Sequence, residues 1–588
     1  MEPRKPHGDT LRGEAAKKTE KKGPAPVLTG AQILMHMLKE EGVDTVFGYP
    51  GGAVIDLYDE LERTDIRHVL ARHEQGAVHA ADGYARVSGR VGVCVVTSGP
   101  GATNTVTGIA SAYADSIPLV VFTGQVPTSL IGNDAFQEVD IVGITRPCTK
   151  HNYLVSDPND LARIVREAFH LARSGRPGPV LVDLPKDVMN TRVKFREPPP
   201  STTRMRSYNP TYEPNMRQLN KVVRLLMGAK RPMIFAGGGV VLSKASEELT
   251  RLARRLQIPV TTSLMGLGCF PGSDPLSLGM IGMHGTYRAN MSSAHCDVLV
   301  GVGVRFDDRV TGKTDTFASQ AKIVHIDIDP TSIRKNVPVH TPVVGDCRCT
   351  LKKLNDLLDS EDLSGVGEKR TAWLEEVDEW RRANRLAYDQ RDVIKPQYVV
   401  ERLYALTEGK AIISTEVGQN QMWAAQFYQF DSPNQFLTSG GLGVMGYGLP
   451  AAIGAQVAAP DKLVVDVAGD GSIQMNIQEL AVAVQCGLPV KVCILNNGYL
   501  GMVRQWQELF YEKRYCQTCL NVAPDFVKLA EAYGCTGLRA TRPEEVDDVL
   551  KKGLATDGPV IMEFVVEREE CVYPMVPAGA PITEMLLV

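Results

Sequence analysis

The chain has 588 residues, of which 44% are hydrophobic and 22% charged, a composition typical of a soluble globular protein with roughly three or four domains. Its formal net charge of −4 provides no basic surface for nucleic acid. No apolar run reaches the roughly 18 residues that a membrane-spanning helix needs.

The twelve cysteines are too few and too scattered for a disulfide framework. The close pairs, Cys347 with Cys349 and Cys516 with Cys519, lack a second pair at zinc spacing. We therefore expect reduced thiols in the cytoplasm and no metal or redox role for these pairs.

Residues 1–26 are charged, punctuated by Pro and Gly, and nearly free of large apolar side chains, so we expect them to be disordered. They lack the apolar segment of a secretory signal. The acidic residues Asp9, Glu14 and Glu20 argue against a transit peptide.

Residues 27–193 alternate between helical and strand-like patterns. AQILMHMLKEEG predicts an amphipathic helix that Thr29 caps and Gly42 ends. The runs GVCVVTS, PLVVFTG and PVLVDLP predict buried strands, and a second helix begins near Glu74 in RHEQGAVHAADGYAR. Strands separated by segments of helix length indicate a parallel sheet covered on both faces.

Two similar units follow. A Pro- and Arg-rich linker, about residues 194–214, leads to a unit over 215–360 with the strands PMIFAGGGV, DVLVGVGVRF and KIVHIDIDP. A charged helical stretch precedes a third unit over 395–567, with AIISTEVG, LVVDVAGDGS, VKVCILNNG and PVIMEFVVE, and a tail over 568–588. The predicted fold class is α/β, with three doubly wound parallel-sheet domains.

The most specific motif lies in the third unit. Asp470 follows the strand LVVDV, and Asn497 follows the strand VKVCIL 27 positions later, a span that fits one βαβ crossover. Such a crossover brings both residues to the carboxyl ends of nearby parallel strands, where ligands of open α/β sheets bind. Their oxygens suit Mg²⁺, Gly469 and Gly471 allow phosphate to approach the backbone, and the predicted helix NIQELAVAVQ adds its N-terminal partial charge. The alternative is two ordinary turns, since DG and NNG are common turn sequences.

The combination of GDGS and NN resembles the thiamine-diphosphate fingerprint, and motifs in the other units agree with it. YPGGAV, RHEQGA, TSGPGATN, GQVPTSLIGNDAFQE, SGRPGPVLVDLPKDV, MHGTYRAN and GVRFDDRVTGK resemble the catalytic subunits of the acetohydroxyacid synthase (acetolactate synthase) family. The resemblance extends from residue 27 into the tail VYPMVPAGAPITEML, and the family fold has pyrimidine, FAD-binding and diphosphate domains.

This resemblance implies that Glu74 contacts the aminopyrimidine ring of thiamine diphosphate and that Met445 supports its bent conformation. Without it, Glu74 reads as a first-turn helix residue favoured by the helix dipole, and Met445 as a core methionine. Many family members have histidine in place of Asn420, so we expect an altered phosphate contact there. The implied cofactor positions are Gly52, Glu74, Asn104, Val417, Gly418, Gln419, Asn420, Met445, Gly469, Gly471 and Ser472, and the implied metal ligands are Asp470, Asn497 and the backbone carbonyl of Tyr499.

The glycine-rich segment PMIFAGGGV is weak evidence by itself for a nucleotide site, because a tight turn is the more common cause of such a sequence. Family members bind FAD here, with no net redox change in the main reaction. The implied FAD positions are Arg176, Gly237, Gly238, Gly239, Met283, His284, Gly285, Thr286, Gly303, Val304, Arg305, Asp307, Arg309, Asp327, Ile328, Gly345 and Asp346.

The implied reaction decarboxylates pyruvate and joins the remaining two-carbon unit to a second 2-oxo acid, either pyruvate or 2-oxobutyrate, in branched-chain amino-acid biosynthesis. Arg309 is expected to meet the acceptor carboxylate, although a surface salt bridge would also explain it. Trp506 is expected to shape the acceptor pocket, with plain core packing as the alternative. Gln137 and Lys186 are expected to line the entrance.

The family builds each site from two subunits, so we expect a homodimer or tetramer, a separate small regulatory subunit, and neither nucleic acid nor membrane as a partner. One alternative is a flavin-dependent pyruvate oxidase on the same scaffold, and another is a non-catalytic regulatory homologue. The presence of Glu74 and Asp470 disfavours the second, and Glu74 also disfavours glyoxylate carboligase, which lacks this glutamate.

Overall fold

The computed structural model describes residues 25–198 and 205–587, so most of the predicted disordered extension lies outside the described part of the chain. Three six-stranded sheets, each entirely parallel, confirm the predicted α/β class. Within the described ranges, no helix is long and apolar enough to cross a membrane.

The first sheet has the strand order β3-β2-β4-β5-β7-β6, and β1 pairs with β8 as a separate antiparallel ribbon. The strands of the first unit are β1 (Val27–Thr29), β2 (Thr45–Tyr49), β3 (Arg67–Leu70), β4 (Gly92–Val96), β5 (Leu119–Gln125), β6 (His151–Leu154), β7 (Val180–Pro185) and β8 (Arg192–Lys194). Its helices are α1 (Gly30–Glu40), α2 (Ile55–Leu61), α3 (Glu74–Ser88), α4 (Pro100–Thr103), α5 (Val106–Asp115), α6 (Ile141–Thr145), α7 (Leu161–Arg173) and α8 (Lys186–Asn190), with 3-10 turns at Gly52–Val54, Thr128–Leu130 and Arg146–Cys148.

The predicted limits of the first helix are confirmed by its capping. Thr29 and Gln32 form a capping box in which each side chain accepts a hydrogen bond from the other residue's backbone amide, at 3.2 and 3.1 Å. After the helix ends, Gly42 adopts a φ of +77°, a conformation that glycine tolerates readily. Local sequence signals therefore determine both ends of this element.

The middle sheet has the strand order β11-β10-β9-β12-β13-β14, which is the 3-2-1-4-5-6 order of dinucleotide-binding domains. Its strands are β9 (Pro232–Ala236), β10 (Val260–Thr262), β11 (Ser277–Met280), β12 (Val298–Val302), β13 (Lys322–Asp327) and β14 (Thr341–Val344). Its helices are α9 (Met216–Gly228), α10 (Gly238–Leu242), α11 (Ser246–Leu256), α12 (Tyr287–His295), α13 (Asp308–Thr311) and α14 (Cys347–Leu358), followed by α15 (Thr371–Ala383), with 3-10 turns at Leu264–Gly266 and Glu368–Arg370.

The third sheet has the strand order β16-β15-β17-β18-β20-β19, which is the same relative order as the first sheet. Its strands are β15 (Ile412–Thr415), β16 (Phe436–Leu437), β17 (Val464–Gly469), β18 (Lys491–Asn496), β19 (Thr536–Ala540) and β20 (Val560–Val565). Its helices are α16 (Pro396–Thr407), α17 (Gln419–Phe427), α18 (Gly448–Ala458), α19 (Leu480–Gln485), α20 (Gly501–Phe510), α21 (Phe526–Tyr533) and α22 (Val546–Ala555), with 3-10 turns at Ile473–Met475, Ile477–Glu479 and Pro543–Glu545.

The first and third units share one hydrophobic core, which α3 and α18 join. The two helices approach so closely that a Cβ at Gly83 would collide with the Ala451 carbonyl, and one at Gly454 with the Ala80 carbonyl. Glycine at both positions therefore permits the contact that fixes the two units against each other.

One predicted element is different in the structure. NIQELAVAVQ is predicted as one helix, but it begins with a 3-10 turn over Ile477–Glu479, and α19 (Leu480–Gln485) covers the rest. A further 3-10 turn, Ile473–Met475, lies between Ser472 and this segment. The Asn476 side-chain amide donates a hydrogen bond to the Gly446 carbonyl, and Met475 is exposed. These contacts take the place of regular helical packing in this segment.

Candidate active site

The predicted metal site lies at the carboxyl ends of β17 and β18, which are adjacent parallel strands. Asp470 and Asn497 follow these strands directly, as the crossover argument predicts, and the Asn497 backbone amide lies 3.4 Å from Asp470 Oδ1. Asp470 Oδ2 is buried without a hydrogen-bond partner, and burial raises the Asp470 pKa to about 6. An unpartnered buried carboxylate oxygen beside an amide fits a divalent cation with oxygen ligands.

The remaining implied metal ligand is on the same turn. The Tyr499 backbone amide donates to Asn497 Oδ1 at 3.0 Å, and the Asn497 side-chain amide donates to Gln419 Oε1 at 3.1 Å. Gln419 therefore orients Asn497. Ser472 Oγ lies 3.2 Å from the Gly469 amide and closes the turn, while Leu500 and Leu520 pack against Gly471.

The helix N-terminus at this edge of the sheet belongs to α17, whereas the residues after Asp470 form a 3-10 turn. β15 and β17 are adjacent, and their chains leave in opposite directions, so their carboxyl ends form the crevice where doubly wound sheets bind ligands. Val417 and Gly418 occupy this crevice, and α17 begins at Gln419 with its free backbone amides directed there.

Asn420 differs from its expected use as a phosphate donor. Its side-chain amide donates to the backbone carbonyls of Glu416 at 3.1 Å and Val467 at 2.8 Å. Both N–H groups are therefore engaged within the protein, and the side chain ties β15 to β17. Any phosphate contact at this position falls to the backbone of α17.

Met445 is half-buried on a glycine-rich loop over residues 438–447. Glu416, a residue that the sequence patterns did not single out, accepts hydrogen bonds from the Gly446 amide at 2.6 Å and the Leu449 amide at 3.2 Å. Burial raises the Glu416 pKa. Only the fold brings this carboxylate to the loop, since 29 residues separate it from Met445.

Glu74 is the first residue of α3 and lies at the crevice of the first sheet. Asn104 donates to Glu74 Oε2 at 2.9 Å, and Oε1 lies near Gly101. The exposed Gly52 is close to the same edge, where its carbonyl accepts a hydrogen bond of 3.1 Å from Lys186 Nζ. The structure thus brings together the pyrimidine-side residues that the resemblance implied.

Gln137 has a φ of +60° and packs its backbone against Gly99, beside this cluster. Neither Glu74 nor Gln137 lines the large cavity that contains Val417, Gly418 and Trp506. Asp470, Asn497 and Met445 do not line it either, so the cavity reaches the third unit's crevice at Val417 and Gly418.

A cavity of about 1460 Å³ extends from the middle sheet to α20. Two glycine turns form its floor: Gly303 has a φ of +59°, and a Cβ at Gly239 would lie 2.6 Å from the Gly303 Cα. The implied FAD positions that line the cavity are Arg176, Gly238, Gly239, Met283, His284, Gly303, Val304, Arg305, Asp307, Arg309, Asp327, Ile328 and Asp346. Gly237, Gly285, Thr286 and Gly345 are outside this lining, and Gly237 and Thr286 are the N-cap residues of α10 and α12.

Two charged groups of this cavity suit a dinucleotide. Asp327 ends β13, where burial raises its pKa to about 6, and Arg176 extends from the first unit to Asp329 at 3.1 Å and Ser116 Oγ at 2.8 Å. A carboxylate at a strand end suits ribose hydroxyls, and a guanidinium suits phosphate. The cavity therefore fits FAD in donor chemistry and in size.

The opposite end of the cavity is lined by α20. Trp506 lines it together with Met502 and Val503, and its ring centroid lies 5.6 Å from that of Phe510. The Arg309 side chain also lines the cavity and is 60% exposed, with its nearest carboxylate, that of Asp308, 3.8 Å away. A guanidinium without a tight ion pair is available to an incoming carboxylate. Trp506 thus both lines the cavity and packs on Phe510, and Arg309 makes a long contact with Asp308 in place of a tight salt bridge.

The C-terminal tail approaches the cavity from the side of α17 and α20. The Val576 amide donates a hydrogen bond of 2.8 Å to the Met283 carbonyl, and the Gln426 side-chain amide donates one of 3.1 Å to the Tyr573 carbonyl. Arg504 Nη2 donates a hydrogen bond of 2.7 Å to the Glu569 carbonyl. The tail is thus fixed to both the middle and the third unit.

Comparison with known proteins assigns the three units. Residues 28–144 match the N-terminal thiamine pyrophosphate binding domain, 219–354 the central domain, and 416–564 the C-terminal thiamine pyrophosphate binding domain of thiamine pyrophosphate enzymes. The Escherichia coli acetolactate synthase isozyme 3 large subunit is 50% identical over 566 residues, covering 95% of this chain and 99% of that protein. The Haemophilus influenzae acetolactate synthase large subunit is 48% identical over 563 residues, covering 95% and 98%. A probable acetolactate synthase large subunit of Methanococcus aeolicus is 48% identical over 571 residues, covering 95% of each chain.

The three domains, their sheet topologies and these full-length similarities agree, and the chain belongs to the acetolactate synthase large-subunit family of thiamine-diphosphate-dependent enzymes.

Proposed function

We propose that this chain is the catalytic subunit of an acetolactate synthase that uses thiamine diphosphate, Mg²⁺ and FAD. It decarboxylates pyruvate and joins the two-carbon unit to pyruvate or 2-oxobutyrate, giving 2-acetolactate or 2-aceto-2-hydroxybutyrate for branched-chain amino-acid biosynthesis. The observation that carries this proposal is the buried, unpartnered oxygen of Asp470 beside Asn497 at the adjacent ends of β17 and β18.

Asp470, Asn497 and the Tyr499 carbonyl would hold Mg²⁺, and the N-terminal amides of α17 would bind the diphosphate. When bound, thiamine diphosphate accepts the electron pair released as carbon dioxide leaves. Met445 would support the bent cofactor from its loop. The uncompensated buried charge of Asp470 supports this assignment, because a bound cation would offset the cost of burying it.

Glu74 would hold or release a proton at its carboxylate next to the cofactor pyrimidine. The Asn104 side chain donates a hydrogen bond to Glu74 Oε2, so Glu74 Oε1 would be available to the ring nitrogen. A carboxylate in this position contributes as a general acid and base. Gly52, with its carbonyl fixed by Lys186, would shape the same edge of the site.

Arg309 would bind the carboxylate of the acceptor 2-oxo acid, and Trp506 would form the wall that favours the larger 2-oxobutyrate. Both line the one cavity in which the FAD positions also lie. FAD would therefore form part of the wall of the substrate channel, with its ribose at Asp327 and its phosphates near Arg176 and the glycine turns.

A second copy of the chain would complete each site. Glu74 does not line the cavity that Val417, Gly418 and Trp506 line. Because the family builds each site from two subunits, a homodimer that brings Glu74 of one copy to Asp470 of the other would be the smallest active form, and a tetramer would satisfy the same requirement. The relatives are named large subunits, which supports a separate small regulatory subunit as a further partner.

The decisive experiment is a pyruvate-consumption assay with thiamine diphosphate and Mg²⁺, each present or omitted, with the product identified by NMR. The proposal expects acetolactate, dependence on both additions, and 2-aceto-2-hydroxybutyrate when 2-oxobutyrate is supplied. Acetate or acetyl phosphate with stoichiometric reduction of the flavin would establish the pyruvate oxidase alternative instead. No turnover under any of these conditions would support the non-catalytic homologue.

A further inference from the structure

The loop that carries Met445 contains Gly440, Gly441, Gly443 and Gly446, with φ values of +75° and +88° at the last two. Glycine-rich backbone loses much conformational entropy when it is fixed. A loop of this kind holds a side chain accurately only if strong contacts anchor both of its ends.

Buried groups of the first unit supply such contacts at the start of the loop. Asp115, the last residue of α5, accepts hydrogen bonds from the Gly441 amide at 2.7 Å and the Gly440 amide at 3.1 Å. The Ser111 and Ser439 hydroxyls lie 2.8 Å apart, also buried. Two successive backbone amides donating to one carboxylate fix the direction of the chain at this point.

The end of the loop is fixed by the same unit. Tyr447 Oη donates to Asp82 Oδ1 at 2.6 Å. Arg86 links the two anchors, because its Nε donates to Asp82 at 2.6 Å and its Nη2 donates to Asp115 at 3.0 Å. The side chains of Arg86, Asp82 and Asp115 are only 7%, 0% and 0% exposed.

We propose that Asp115, held by Arg86, Asp82 and Tyr447, is a positioning residue that sets the Met445 loop for thiamine diphosphate. The proposal rests on the proposed function. The first unit would then have two roles, because Glu74 would contact the cofactor and Asp115 would position the Met445 loop. A buried ion pair is weak support for stability alone, and specifying one arrangement is its better-attested use.

The geometry also links the two cofactor sites of the proposed dimer. α3 begins at Glu74, which would serve the cofactor held by the partner copy, and two to three turns later it presents Asp82 and Arg86 to the Met445 loop of its own chain. The orientation of α3 would therefore position Glu74 at one cofactor site and the Met445 loop at the other.

The test compares Asp115→Asn and Tyr447→Phe with Glu41→Gln as a matched control. Glu41 is also a buried carboxylate of the first unit with arginine partners, Arg166 at 3.2 Å and Arg173 at 3.0 Å, but it does not contact the loop. For each protein, thiamine diphosphate is titrated with Mg²⁺ present, the near-UV circular dichroism of the bound cofactor is recorded, and kcat and KM for pyruvate are measured.

We expect Asp115→Asn to raise the Kd for thiamine diphosphate and lower kcat by about tenfold each, with KM for pyruvate changed less than about twofold. Its cofactor dichroism should change as well. Tyr447→Phe should act in the same direction by a smaller factor. Glu41→Gln should lower the Tm and leave Kd, kcat and the dichroism unchanged.

A folded Asp115→Asn protein with unchanged Kd, kcat and dichroism overturns the proposal, as does an equal loss in Glu41→Gln. If Asp115→Asn does not fold, Tyr447→Phe decides, and unchanged values there overturn the proposal. Failure of the unaltered chain to bind thiamine diphosphate would refute the proposed function itself, which is a separate outcome visible before any variant is made.

Discussion

The backbone amide of Asn497 lies 3.4 Å from Asp470 Oδ1, while Asp470 Oδ2 is buried with no partner. Two turns at the ends of neighbouring strands thus leave one carboxylate oxygen unsatisfied at the crevice of a doubly wound sheet. Native proteins seldom leave such an oxygen unpaired unless an ion, water or catalytic duty accounts for it.

Asp470→Asn should abolish the rise in Tm that thiamine diphosphate with Mg²⁺ gives the unaltered protein. Without ligands the variant should be more stable than the parent above pH 7. Burial raises the pKa of Asp470 from 3.8 to about 6 in the folded protein. The protonated carboxyl therefore stabilises the folded state fully below pH 3.8, and this contribution is lost as the pH rises through 6. A pKa rise of this size corresponds to a gain of at most about 3 kcal/mol. Differential scanning fluorimetry checks both effects, with the exposed Asp461→Asn as control. A ligand-induced shift equal to that of the parent would contradict the metal assignment.

Glu74→Gln should lower kcat by about 10²–10⁴-fold while thiamine diphosphate still binds, because glutamine keeps the size and the Asn104 contact but cannot exchange a proton. Carbon dioxide release from pyruvate and a cofactor titration measure the two quantities. Glu62→Gln, on the exposed surface of the same unit, should match the parent. Full activity in Glu74→Gln would show that Glu74 is an ordinary residue at the start of a helix.

Trp506→Leu should lower the ratio of 2-aceto-2-hydroxybutyrate to acetolactate by about tenfold when pyruvate and 2-oxobutyrate compete, since the wall that contacts the longer acceptor is removed. Chromatography of the two products gives the ratio. Trp380→Leu removes a tryptophan that packs on Trp373 outside the cavity, and it should leave the ratio unchanged. Equal ratios in Trp506→Leu and the parent would favour simple packing.

Glu479 should make the stability of the ligand-free protein depend on pH. Burial outweighs the hydrogen bonds from the Arg72 and His73 amides and raises its pKa from 4.5 to about 7. Its contribution is therefore fully present below pH 4.5 and is lost as pH rises through 7. Glu479→Gln stays neutral, so between pH 5 and pH 8 the variant should gain about 2 kcal/mol relative to the parent. Urea unfolding at the two pH values gives this difference, and parallel pH curves would contradict it.

Gly454→Ala should destabilise the protein by about 1–3 kcal/mol, because the added methyl group would collide with the Ala80 backbone where α18 crosses α3. Gly228→Ala is the matched control. It also lies in a helix but has open space at its Cβ, so it should be neutral or stabilising by up to about 1 kcal/mol. Thermal unfolding of the ligand-free proteins compares them. Equal midpoints for the two variants would show that the helices can move apart at little cost.

Much of the fold follows from local patterns. The β-branched runs ending in Gly, Ser or Pro identify most of the parallel strands, and Thr29 and Gln32 determine where α1 begins. The segment NIQELAVAVQ predicts one helix, but the α-helix forms only over Leu480–Gln485. Contacts such as Asn476 with Gly446 override that pattern, and α17 supplies the helix N-terminus instead.

By itself, the sequence determined the three α/β units, the pairing of Asp470 with Asn497 and the family, because these depend on residue spacing within single crossovers and on short motifs. Only the tertiary structure decided what surrounds those residues: the unpartnered oxygen of Asp470, the engaged amide of Asn420, and the Arg86 network that joins two units. These contacts join residues as far apart in sequence as Asn420 and Val467, 47 positions, or Asp82 and Tyr447, 365 positions. They arise from packing, and no local periodicity encodes them.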